Sequence, residues 1–157
     1  MNKLVLGLTF LCTALVSSIA QADGWNLKGL DTVAVEYTQS PLVVSQATMM
    51  QLDTDTKLKL KSAGLTLASP QDAKAIVEIS IHNVKGIVNE WVVVQLTVQE
   101  KVQTVSRKSS QKADAITYID GTLFEVSKGA VDKKVYDTVL NGLVTKLVGA
   151  YLDQNSK

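Results

Sequence analysis

The chain has 157 residues, with 16 basic and 15 acidic side chains and a formal charge of +1. That length suits one domain, and so small a net charge gives no electrostatic reason to expect nucleic acid as a partner. One cysteine and one histidine exclude a disulfide framework and make a poor transition-metal site.

The opening segment MNKLVLGLTFLCTALVSSIAQADG has the parts of a secretory leader. Lys3 is the basic start, Leu4 to Val16 the apolar run, and Ala20-Gln21-Ala22 the small-residue cleavage signal. The run is shorter than the ~20 residues a bilayer span needs. The expectation is a signal peptide over 1–22, cleaved after Ala22, and one periplasmic or secreted domain over 23–157. Cleavage removes Lys3 and no acid, so the mature charge falls to zero. Cys12 lies inside the apolar run behind Leu11, where lipidation would need a small residue, so no lipid anchor is expected. No later apolar run is long enough to span a membrane.

Residues 31–38, DTVAVEYT, alternate as a half-buried strand that Pro41 ends, since proline offers no N–H to a ladder. Over 45–65, Met49, Leu52, Thr56, Leu60 and Ala63 recur at helical spacing. Ser45 serves as N-cap, Gly64 as the left-handed stop, and Leu65 as the closing apolar contact. The alternation in KLKLK at 57–61 offers a strand instead, but the glycine stop and the longer period favour the helix. SPQDA at 69–73 reads as a loop.

Val77, Ile79 and Ile81 then alternate with Glu78, Ser80 and His82. NVKG at 83–86 is read as a turn, and Val92, Val94, Leu96, Val98 and Val102 mark a second strand of an antiparallel hairpin. SRKSSQK at 106–112 reads as a loop. Asp120-Gly121 is either a tight hairpin turn or a bulge in one long strand, and both readings stand. The last segment, 130–154, is the strongest helix. Val135, Val139, Leu143 and Leu147 form one row and Tyr136, Leu140, Val144, Val148 and Tyr151 the next, with Gly142 and Gly149 read as points of close approach to a strand. The order strand-helix-strands-helix gives an α+β fold: a mainly antiparallel sheet of four to five strands with two helices on one face.

No motif for phosphate binding or nucleophilic catalysis occurs. His82 stands on a polar strand face without a nucleophile or orienting acid in local spacing. Asp53 with Asp55 and Asp120 with Glu125 are the acidic pairs, and Lys57, Lys59, Lys61 and Arg107, Lys108, Lys112 the basic groups. Solvated surface is the default for all of them. The chain is expected to be non-enzymatic, with no cofactor and no metal. Trp91 and Val93 differ, because alternation turns them away from the core. They mark a contact patch unless another part of the chain covers them, and Trp25 is the candidate lid.

The run LKSAGLTLASPQDAKAIVEISI at 60–81, with the valine-rich strand Thr32–Tyr37 before it and the helix Val135–Leu152 at the end, resembles small α/β domains of bacterial envelope assembly proteins. These are the curli export channel subunit, the amino-terminal domain of the Tol-system propeller protein, and auxiliary proteins of lipid-transport ABC systems. The resemblance implies a periplasmic accessory domain with an envelope protein partner and carries over no functional residue. A carrier of a small apolar ligand, held between sheet and C-terminal helix, is the alternative. An enzyme working through Asp or Glu pairs comes third. With a neutral mature chain, self-association stays open.

Overall fold

The computed structural model describes residues 26–156 apart from 41–42, 86–89 and 107–108. The leader, its Cys12, Trp25, Pro41, Arg107 and Lys108 therefore lie outside the described residues.

Five strands form one mixed sheet in the order β2-β1-β3-β4-β5. β1 spans Thr32–Ser40, β2 Thr66–Leu67, β3 Ala75–Lys85, β4 Glu90–Ser106 and β5 Ser109–Val126. β1 runs parallel to β2 and β3, while β3-β4 and β4-β5 are antiparallel. A parallel neighbour needs a crossover, and helix α1, Gln46–Ser62, supplies it between β1 and β3.

The ends of α1 follow the expected chemistry. The Ser45 hydroxyl accepts the Thr48 N–H at 3.3 Å. At the far end Gly64 takes φ +98°, which only glycine adopts freely. Its N–H then reaches the Lys61 carbonyl at 3.0 Å, and the Leu65 N–H reaches that of Leu60 at 3.2 Å. This double bond pattern is a Schellman stop, and Leu60 and Leu65 are both buried behind it.

The C-terminal helix has three parts: α2 (Val131–Tyr136), a π-helical stretch (Asp137–Val144) and α3 (Thr145–Asn155). The wide middle has a physical reason in the sequence. Val131, Val135, Val139, Leu143, Leu147 and Tyr151 recur at steps of four, and all are buried. An α-helical step of four residues overshoots one turn by about 40°, so an unbroken α-helix would carry this row off the sheet. A π turn holds more residues and cancels the drift. The Leu140 carbonyl in this stretch accepts both Lys59 Nζ and Thr145 Oγ1 at 3.0 Å. Gly142 and Gly149 make no close approach to a strand: a Cβ added at either meets nothing within 4 Å.

Three polar ties join α1 to the C-terminal helix in rising register on both. Asp132 accepts the Ser45 N–H at 3.1 Å and the Thr48 hydroxyl at 3.0 Å. The Tyr136 hydroxyl donates to Asp55 at 2.6 Å, and Lys59 closes the series at Leu140. The helices enclose one sheet face, where Val77, Ile79, Ile81, Val92, Val94, Leu96 and Val98 are fully buried. Tyr37 on β1 lies under α1, its hydroxyl bonded to Thr56 at 2.7 Å. Burial drives its ionisation far above the usual tyrosine range.

The strands depart from the sequence reading in three places. β3 continues through Asn83 and Val84 to Lys85, where NVKG had been read as a turn. Of the stretch 106–112 read as a loop, Ser106 ends β4 and Ser109–Lys112 belong to β5, the two strands forming a ribbon in which Ser106 pairs with Ser109. Backbone pairing can sustain such a ribbon, and no apolar alternation over 106–112 of the sequence announces it. Asp120-Gly121 is neither turn nor bulge but the regular interior of β5. The irregularity sits at Val98/Gln99, which face Tyr118 and Ile116 and leave Thr117 over.

Contact with Ser45, and then with Thr48, holds the Asp132 carboxyl below the usual carboxylate range against the opposing effect of burial. A lowered native pKa gives stability that is present above the unfolded value and is lost as pH falls through the native one. Asp132→Asn should therefore cost a few tenths to about 1 kcal/mol at pH 7, the scale of a charge at a helix N-terminus. Chemical denaturation of both proteins should show that gap closing as pH falls below the carboxylate range. A gap independent of pH would contradict the assignment.

Candidate functional site

The second face of the sheet carries no packed element among the described residues. Strand register places its side chains in rows. Val84 and Trp91 stand beside Glu125, and His82 and Val93 beside Leu123. Next come Ser80 and Gln95 beside Gly121, then Glu78 and Thr97 beside Ile119. On β1, Thr38 continues the Ser80 row and Glu36 the Glu78 row.

Trp91 is 38% exposed, and the apolar side chains around it are more open, Val84 and Leu123 at 54% each. Val93 is half-buried between His82 and Leu123. The β4–β5 side thus presents a strip of exposed or half-buried apolar groups: Val84, Trp91, Val93, Leu123, Ile119 and Ile116. A dent of about 490 Å³ interrupts it, lined by Val93, Gln95, Ile119, Gly121 and Leu123 among others. Gly121 makes the dent by lacking a side chain. A Cβ there would stand 3.1 Å from the Val94 carbonyl oxygen, closer than side chains normally sit.

The residues singled out from the sequence have separate fates. Trp91 and Val93 fall together on this face. Trp25, the proposed lid, lies outside the described residues. The chain that follows it is held elsewhere: the Leu27 N–H bonds Gln154 at 2.9 Å, and Lys74, just before β3, bonds the Gly29 carbonyl at 3.4 Å. Trp91 pairs with Val84 near the other end of β3.

The acidic pairs are dispersed into structural ties. Asp53 bridges Lys57 at 2.7 Å, Asp55 accepts from Tyr136, and Asp120 on the helix-covered side bridges Lys146 at 3.0 Å. Lys59, read as solvated, is the anchor of the π stretch, and Lys101 donates to the Pro70 and Gln71 carbonyls at 2.7 and 3.2 Å. Desolvation raises the Tyr118 hydroxyl to about 12, so it stays neutral near pH 7. His82 is exposed. No group of three or more His, Cys, Asp or Glu side chains that could hold a metal ion occurs among the described residues. No helix among them is long and apolar enough to cross a membrane.

Sequence reasoning missed the dent. Its signal was present in Gly121 on a β-prone run, which marks a close backbone approach as readily as a turn.

No protein-family model matches the chain, and no curated protein matches it. Several solved structures share its outline. One is the PelC dodecamer from Paraburkholderia phytofirmans, 12% identical over 82% of this chain and 89% of that one, with a TM-score of 0.41. A second is a minor lipoprotein from Acinetobacter baumannii, 12% identical over 77% and 94%, with a TM-score of 0.36. A third is protein XCC0632 from Xanthomonas campestris, of the DUF330 family, 12% identical over 84% and 89%, with a TM-score of 0.42. None of them is one of the examples named from the sequence. No functional assignment follows from likenesses of this strength.

If the apolar strip serves contact rather than folding, its residues contribute little to stability. Leu123→Thr, which keeps strand propensity, should change the unfolding free energy by no more than about 0.5 kcal/mol. Leu96→Ala, on the covered face of the same sheet, should cost about 2–5 kcal/mol. Equal losses in urea denaturation would mean that the strip is part of the core.

Proposed function

We propose that this chain is an exported, non-enzymatic binding domain of the bacterial cell envelope that docks a protein partner on the open sheet face around Trp91 and Val93. The observation that carries the reading is the apolar strip on a face that no described element covers. Tryptophan and aliphatic groups around a dent are the composition of interface hot spots, in which a large side chain seats in a desolvated pocket. The leader-like segment over 1–22 supports export.

The carrier alternative places a ligand between the sheet and the C-terminal helix. Val135, Val139 and Val144 meet Val92, Val94 and Leu96 there, all with no accessible surface, which leaves no water-sized space against them. Packing therefore favours docking on the open face.

The test is a Trp91→Ala variant expressed in its own cells. Its melting curve should match the wild type, and recovery of the partner that co-purifies with the wild type should fall about tenfold or more, as expected for a central aromatic anchor. Undiminished recovery with an unchanged melting curve would refute docking at this patch.

A further inference from the structure

The two edges of the sheet are unequal. β2 closes one edge with 2 residues, while β5, with 18, forms the other, and no described strand lies beyond it. A long edge strand is a template on which a second strand can pair, and short strands, proline, lysine or bulges are the usual protection. Residues 113–126 hold no proline and no lysine. The irregularity that leaves Thr117 over breaks this edge once. From Tyr118 to Val126 the ladder to β4 is regular.

Register shows which backbone groups of that stretch face outward. The Lys101 N–H on β4 bonds the Lys74 carbonyl at 3.1 Å, on the β3 side. Backbone groups alternate sides along a strand, so Val93, Gln95 and Thr97 also aim theirs at β3. Their partners on β5 are Leu123, Gly121 and Ile119, whose N–H and carbonyl groups therefore point to the outer edge. In the middle of this row one donor is already taken. The Gly121 N–H donates to Asp120 Oδ1 at 2.8 Å, and Lys146 of α3 holds Oδ2 of the same carboxylate at 3.0 Å.

We propose that Asp120, tethered by Lys146, is an edge guard that keeps β5 of one copy of this chain from pairing with β5 of another. A strand added here must offer a carbonyl oxygen to the Gly121 N–H, and that oxygen would meet a carboxylate oxygen already in place. The incoming strand would exchange a hydrogen bond to a charged acceptor for a weaker neutral one. It would also strip the remaining water from the Asp120 side chain, which is 24% exposed. A second copy is the strand to be kept away. The formal charge of +1 sets up little repulsion between copies, and an edge strand paired antiparallel with its own copy closes a two-fold contact. The guard is independent of docking on the open face, since it concerns backbone groups at the sheet's rim.

The test is sedimentation velocity over a concentration series of the full exported protein. Asp120→Thr keeps strand propensity and frees the Gly121 N–H. It should associate at concentrations at least about tenfold below any at which the wild type does, the scale of one hydrogen bond to a charged group. The substitution moves the net charge further from zero, which by itself favours monomers. Asp53→Thr makes the same change in charge and breaks a lysine pair on α1, and it should behave as wild type. Ile119→Pro removes an outward N–H and no bond to β4, so adding it to Asp120→Thr should restore the monomer. Adding Trp91→Ala should not. Lys146→Met leaves β5 untouched and frees the carboxylate, so it should shift association in the same direction, and it decides the matter if Asp120→Thr lowers the melting temperature. A monomeric Asp120→Thr protein with a wild-type melting curve, or a monomeric Lys146→Met protein where that curve is lowered, would overturn the guard. So would equal association of Asp53→Thr, association that Ile119→Pro leaves intact or Trp91→Ala dissolves, or a wild-type dimer that Ile119→Pro dissolves.

Discussion

The fold depends on one long apolar row staying aimed at one sheet face. The residues of that row, Val131 to Tyr151 at steps of four, are buried against the valines of β3 and β4. A uniform α-helix would rotate the row away from the sheet, and the π-helical stretch keeps it in place. That stretch is braced from outside the helix, because Lys59 of α1 reaches the Leu140 carbonyl and the Thr145 hydroxyl. The same lysine therefore fixes the geometry of the C-terminal helix and the seat of α1. Asp132 and Tyr136 repeat the tie at two further levels.

Committing both helices to one side determines the character of the other. β4 alternates so strictly that sealing Val92, Val94, Leu96 and Val98 forces Trp91 and Val93 outward. β5 then places Leu123 and Ile119 beside them and leaves a gap at Gly121. An exposed apolar strip carries a solubility cost in a free protein, and such strips mark contact sites in monomeric domains. The proposed docking uses this uncovered face rather than a cleft with reacting groups. The polar side chains that could have built such a cleft, Asp55, Asp120 and Lys59, are spent on holding elements together.

Local chemistry was legible wherever one residue type had one physical role. Ser45 and Gly64 bounded α1 to within a residue, since a cap hydroxyl and a positive φ leave few alternatives. Period-two alternation located β3, β4 and the outward Trp91. Features set by tertiary partners were not legible. The π stretch is visible only when the row of four-residue steps is set against a flat sheet. Lys59 and Asp132 look like any surface charge until the opposite helix is placed. β2 is two residues long and exists because β1 offers it an edge. The β4–β5 ribbon is polar, so its pairing leaves no trace in hydropathy. Asp120-Gly121 misled because the pair is a turn signal in isolation, while its use here is a close approach to Val94.

The most direct test of the central claim is photo-crosslinking in intact cells, with the probe placed at Trp91 and, as control, at Leu58, an exposed apolar residue on α1. The account predicts a discrete heavier species from position 91, absent from position 58, whose second component is a polypeptide. No such species from position 91 in cells that fold and export the protein would contradict it, and would mean that this face meets no partner.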